Sequence, residues 1–161
     1  MKPTDLLELN DDLQRESERL ARLVSSVELL LPRLGEGGEL VEAAALRLHS
    51  FYTAIERCLL LISRVVNGGT PSKGEGWHRR FLERMATATE QRPAVFKEAT
   101  QVGLQEYLRF RHLVRNLYAD ELRPEPIALL MRQLPPLWHL IQEDLLQFRH
   151  WLRSTASSHN L

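Results

Sequence analysis

The sequence predicts an all-α fold, an up-and-down bundle of four main helices plus one short helix, and three observations predict it. Apolar residues recur at three- and four-residue spacing through every long stretch. No stretch alternates apolar and polar residues with period two, and the breaks between periodic stretches are short turns marked by Gly or Pro. A chain of 161 residues with 43% hydrophobic content is expected to form one domain, residues 1–161, around one core, with 155–161 as a flexible tail.

Taken in order, the first helix is capped by Thr4 or Asp5 and runs to about residue 31, with Leu6, Leu9, Leu13, Leu20, Leu23, Val24, Val27, Leu30 and Leu31 near helical spacing. Pro32 and the turn Gly35-Glu36-Gly37-Gly38 stop it. A second helix from about 39 to 66 places Leu48, Phe51, Tyr52, Ile55, Leu59, Ile62 and Val66 on one stripe, and Asn67-Gly68-Gly69 ends it. Residues 70–76 form a link, after which a short helix from 77 to about 88 is anchored by Trp77, Phe81, Leu82 and Met85. Following the break at Gln91-Arg92-Pro93, the next helix starts at Pro93 or Thr100 and runs to about 119. A last one covers about 125 to 154, with Pro135-Pro136 expected to kink or split it.

Charge composition narrows the function classes. Lys plus Arg and Asp plus Glu number 21 each, so there is no global positive field, and any contact with RNA must be local. The single cysteine, Cys58, lies in an apolar run and reads as a buried thiol, which excludes a disulfide framework. No apolar run approaches the roughly 20 residues needed to span a bilayer. The start Met1-Lys2-Pro3-Thr4-Asp5 lacks the layout of a signal peptide, so the cytoplasm is the expected compartment. With no Gly-rich phosphate loop and no Cys/His cluster at zinc spacing, neither cofactor nor metal is expected.

One stretch carries chemistry, from Tyr107 to Tyr118. Read as helix, it puts Phe110, Leu113, Val114 and Leu117 on one side, and Arg111, Arg115, His112 and Asn116 in a contiguous sector of roughly 140° on the other. Tyr118 falls beside Arg111 and Arg115. Its three arginines and one histidine have no acidic residue among them, so this face is expected to be locally positive and suited to phosphate, which arginine's planar fork can grip through two oxygens. A solvated charged face, or ion pairs across a dimer seam, explains the same spacing. Elsewhere, His78 reads as a capping or packing residue, and His49, His139 and His150 as scattered. Glu56 and Arg57, beside the core stripe, either reach the cleft or form ion pairs, pairing being the favoured reading, and Trp138, Phe148 and Trp151 are expected to pack in the core or a dimer seam.

The order Arg111, four residues, Asn116, one residue, Tyr118 resembles the signature of the HEPN superfamily, in which a histidine stands where this chain has Asn116. Three further pieces and the motif stretch itself follow in the order of the HepT-like toxins: Phe51-Tyr52-Thr53-Ala54-Ile55-Glu56-Arg57, Trp77-His78-Arg79-Arg80-Phe81-Leu82, Arg92-Pro93-Ala94-Val95 and Phe110-Arg111-His112-Leu113-Val114-Arg115-Asn116-Leu117-Tyr118. That resemblance implies a HEPN-like helical bundle acting as a metal-independent endoribonuclease toxin of a type VII-like toxin–antitoxin system. It also implies a homodimer whose motif helices line a shared cleft, and a minimal nucleotidyltransferase antitoxin that adenylylates the motif tyrosine. By position, Arg111 would bind the scissile phosphate and Tyr118 would be modified. Asparagine cannot exchange a proton near neutral pH, so His112, whose pKa the flanking arginines lower, is the expected proton-transfer residue, with Arg111 and Arg115 holding the phosphate and Asn116 orienting a hydroxyl. The alternatives are a catalytically degenerate HEPN-fold binding or antitoxin-like protein, and an adaptor whose basic stripe docks an acidic partner.

Overall fold

Among residues 1–66 and 72–159, which the computed structural model describes, the chain forms α-helices and no strand. They are α1 (Pro3–Leu30), α2 (Gly38–Val66), α3 (Trp77–Met85), α4 (Glu98–Val114) and α5 (Pro124–Ser158), with 3-10 turns at Leu31–Glu36 and Ala119–Glu121. The fold is all-α, as the apolar spacing predicts. The glycine stop at Asn67-Gly68-Gly69 and the first residues of the 70–76 link lie outside the described residues.

The up-and-down topology follows from which residues touch. Near its C-terminal end α1 meets the start of α2, where Arg47 donates to the Ser26 carbonyl at 2.8 Å, so the two helices run antiparallel. The start of α1 meets the end of α5, where Arg149 and Arg153 both donate to Asn10 Oδ1 at 3.1 Å. Asp144 of α5 accepts from the Lys97 backbone N–H at 3.0 Å and the Thr100 hydroxyl at 2.6 Å, capping the start of α4 from a neighbouring helix. Further along, the Tyr107 hydroxyl donates to the Leu130 carbonyl at 2.7 Å, so α4 and α5 are antiparallel as well. These directions alternate around the ring α1, α2, α4, α5, and α3 lies against α2 and α4.

Burial accounts for the stripes. Leu48, Phe51, Tyr52, Ile55, Leu59, Ile62 and Val66 are all buried, as are Phe81, Leu82 and Met85 of α3. Trp138 and Phe148 are buried in the same core and Trp151 packs against it, its ring 5.3 Å from that of Phe148. Cys58 is a buried free thiol whose pKa burial pushes up to about 12.

Several boundaries differ from the sequence expectation. Lys2, not Thr4 or Asp5, is the N-cap of α1, because Pro3 takes the first helical position, where a missing N–H costs nothing. The double proline neither ends nor splits α5, whose flanking Leu134, Leu137 and Trp138 are buried and hold the helix across it. Residues 155–158, expected to begin a tail, form the last turn of α5, with Ala156 buried; 160 and 161 lie outside the described residues. Finally, α4 stops at Val114, so the helical wheel drawn through Tyr118 does not hold for its last positions.

Candidate functional site

Three helices bring their polar side chains together on the flank where α3 meets α2 and α4. Gly76 sets the approach: its φ of 70° lies in the left-handed region that glycine adopts without strain, and it is the N-cap from which α3 departs. Two residues on, His78 reaches back to α2, where its Nδ1 is 2.6 Å from Glu56 Oε2. From α4, Arg111 donates through Nη1 to the other carboxylate oxygen, Glu56 Oε1, at 3.2 Å. Arg111 Nη1 and His78 Nδ1 are 3.5 Å apart, and the rings of His78 and His112 meet edge to face at 5.6 Å.

Burial makes this cluster electrostatically strong. The side chains of Glu56, His78 and Arg111 are 9%, 12% and 13% exposed, so water screens their charges little. Arg111 Nε is buried and has no hydrogen-bond partner, and the guanidinium carbon lies 6.0 Å from the Tyr52 ring centroid. The Tyr52 hydroxyl and Thr53 Oγ1 are likewise buried and unpartnered. Burial and the Glu56 charge raise the Tyr52 pKa, with Arg111 opposing. His112, exposed on its outer side, has its pKa lowered first by desolvation and then by His78, Arg111 and Arg115, with Glu56 opposing. His49 is lowered in the same order of causes, burial first and then Arg111 and Arg115.

The structure separates the residues that the sequence grouped. Arg111 and His112 join the cluster. Arg115, at the helix end, is exposed and bears on both His112 and His49. Asn116 sits past α4, where its Nδ2 donates to the His112 carbonyl at 3.0 Å and its backbone N–H to that of Leu113 at 3.1 Å, so its amide closes the helix end. Tyr118 lies outside the helix, 78% exposed, its N–H bonded to Glu121 Oε1 at 3.2 Å. The expectation of a face without acidic compensation is corrected: Glu56 supplies the counter-charge for Arg111 from another helix, and Glu106 pairs with Arg109 at 2.6 Å. Leu113, placed with the core by the wheel, is 57% exposed.

Sequence reasoning missed His78 and His49 as members of this neighbourhood, and of its two readings for Glu56, reaching the cleft or pairing, the structure shows pairing with Arg111 and His78 inside the cluster. A signal existed. His49, Tyr52, Thr53 and Glu56 stand at i, i+3, i+4 and i+7 on α2, one polar-edged stripe beside the core stripe, which had absorbed Tyr52. His78 does not cap α3, since the N-cap is Gly76; it ties α3 to α2 and stacks on Trp77 at 3.8 Å between ring centroids.

A groove of about 220 Å³ adjoins the cluster, lined by Gly76, Arg79, Gln105, Leu108, Arg109 and His112. It gives His112 contact with solvent-accessible space large enough for a phosphate or a ribose. Among the described residues no three His, Cys, Asp or Glu side chains converge as a metal-binding group, and no helix is long and apolar enough to cross a membrane. A family model described as HepT-like protein matches residues 43–152, more than half of the chain and every residue of the cluster. No curated protein and no solved structure matches the chain.

Proposed function

The chain belongs to the HepT-like protein family, and from that premise we propose that it is the endoribonuclease toxin of a toxin–antitoxin pair, acting in the cytoplasm under the control of a minimal nucleotidyltransferase. The observation that carries the reading is the state of Arg111. One Nη is engaged by Glu56 while the buried Nε has no partner, an under-satisfied guanidinium beside two imidazoles, of which His112 lines the groove. In this reading Arg111 and Arg115 hold the scissile phosphate, neutral His112 takes a proton, and the Asn116 amide fixes the end of the motif helix, orienting His112 through its carbonyl. A second copy would complete the cleft; the exposed Val102 and Leu113 on α4 offer it apolar surface.

Purified protein incubated with a labelled RNA pool in chelator is expected to cut, and Arg111→Ala to cut about 10²–10³-fold more slowly. Equal cutting by the two would remove the phosphate-binding role. The exposed Tyr118 is open to a transferase, so co-expression with the cognate nucleotidyltransferase is expected to add adenylyl mass to its peptide. A silenced complex with unmodified Tyr118 would mean silencing by contact alone.

One observation favours a second reading, a HEPN-fold binding protein without nuclease activity: Asn116 replaces the motif histidine and spends its amide on the helix end. RNA binding without cleavage, abolished by Arg111→Ala, is the outcome that selects it.

A further inference from the structure

Cleavage of RNA without a metal needs two proton transfers, one from the attacking 2′-hydroxyl and one to the departing 5′-oxygen. The motif stretch supplies a single imidazole, His112. The folded chain brings a second one to it from another helix, with the rings 5.6 Å apart. We propose that His78, held by Glu56, donates the proton to the leaving 5′-oxygen while His112 accepts the one from the 2′-hydroxyl. This rests on the endoribonuclease reading above and adds to it a residue outside the motif.

Geometry supports the division of labour. At 2.6 Å from a carboxylate oxygen, His78 Nδ1 carries a hydrogen toward Glu56, which leaves Nε2 as the ring nitrogen that a proton transfer would use. Glu56 offers one oxygen to this imidazole and the other to Arg111, so the carboxylate can compensate a protonated ring beside a guanidinium. The groups facing His78 are Glu56 from α2, and Arg111 and His112 from α4, while its own helix contributes the stacked Trp77 ring. Glu56 is therefore a positioning residue, fixing the ring's orientation much as a carboxylate orients the histidine of a hydrolase triad.

The step balances. The 2′-oxygen bonds to phosphorus as the bond from phosphorus to the 5′-oxygen breaks, leaving a 2′,3′-cyclic phosphate and a 5′-hydroxyl. His112 ends protonated, having taken the 2′ proton. His78 ends neutral, having given its Nε2 proton to the 5′-oxygen while Nδ1 stays bonded to Glu56. Exchange with water resets both rings, and no oxidant or reductant is involved.

The test compares ordinary RNA with the same RNA carrying sulfur in place of the bridging 5′-oxygen, since a thiolate leaves without being protonated. His78→Gln is expected to cut ordinary RNA about 10²–10³-fold more slowly than wild type, yet to cut the sulfur substrate within about threefold of it. His112→Gln should be slow on both. Equal losses on the two substrates would show that His78 only braces the fold, and no loss on either would remove it from the reaction; both results overturn the proposal while leaving the nuclease reading intact. Wild type that cuts neither substrate brings down the nuclease reading, and this one with it. Should His78→Gln fail to fold, His78→Asn carries the same contrast between the two substrates, and equal losses on both, or none on either, overturn the proposal.

Discussion

Arg92 is the most buried cation of the chain, 2% exposed, and its surroundings explain why it is tolerated there. Nη1 donates to the carbonyls of Thr87 and Pro93, both at 3.0 Å, and Nη2 to the Arg84 carbonyl at 3.1 Å and Met85 Sδ at 3.4 Å. A planar fork spreads five donors in fixed directions over three nitrogens and so spans acceptors that lie apart, whereas an ammonium gathers three donors on one atom at the end of a flexible stem. Arg92→Lys is therefore expected to lose about 2–4 kcal/mol in urea denaturation, nearly as much as Arg92→Ala; retention of wild-type stability by lysine would show that charge alone suffices. Glu56 poses the opposite case, one buried carboxylate serving both a guanidinium and an imidazole. Glu56→Gln leaves Arg111 without its counter-charge and is expected to cost about 3 kcal/mol, part of which Arg111→Met should restore in the double variant, because a buried charge without its partner costs more than an apolar replacement for the pair. Additive losses would mean that the two side chains are not coupled. Both residues fall in pieces that carry the family resemblance, but the partners that define their roles were not legible in the sequence. Both depend on contacts between segments far apart in the chain.

Helices are legible where burial imposes a period, and they become illegible where a local side-chain bond decides the outcome. The stripe from Leu48 to Val66 could be read because each of its members is buried on one face of α2. The end of α4 could not, because it is set by the Asn116 amide capturing the His112 carbonyl and by the bonds from the Asn116 and Leu117 N–H groups to the carbonyls three residues back. That misreading mattered for the site, since it had drawn Tyr118 and Asn116 into the helix, where the structure has an exposed Tyr118 beyond it and Asn116 closing its end. The double proline shows the reverse error: a strong breaker signal overridden by packing. Pro136 is exposed, so its ring contributes little to the core, while its missing N–H leaves the Arg132 carbonyl without its helical donor. Pro136→Ala is expected to raise stability by about 2 kcal/mol, the interior proline penalty of about 3 kcal/mol less the flexibility regained by the unfolded chain, read as a higher Tm. An unchanged or lower Tm would show that α5 is built around a bend that alanine cannot reproduce.

At the scale of the whole molecule, the balance of 21 basic and 21 acidic residues makes salt dependence a direct test of how RNA is held. A protein with a broad basic field releases many counterions on binding; the groups assigned to phosphate in this chain are Arg111 and Arg115, and Arg111 must share its charge with Glu56. If Arg111 and Arg115 each neutralise one phosphate and two copies form one cleft, about four phosphates are engaged. The logarithm of the RNA affinity should then fall against the logarithm of salt concentration with a slope of about −3, given about −0.7 per phosphate for a single strand. A lone protomer would give about −1.4, so fluorescence anisotropy over a salt series reports the stoichiometry of the cleft together with its chemistry. Arg111→Ala in both copies should halve the slope of the dimer. A slope several times steeper would place the RNA on a surface outside the cluster of Glu56, His78, Arg111 and His112, and a slope near zero would mean that the guanidinium never leaves its carboxylate for a phosphate.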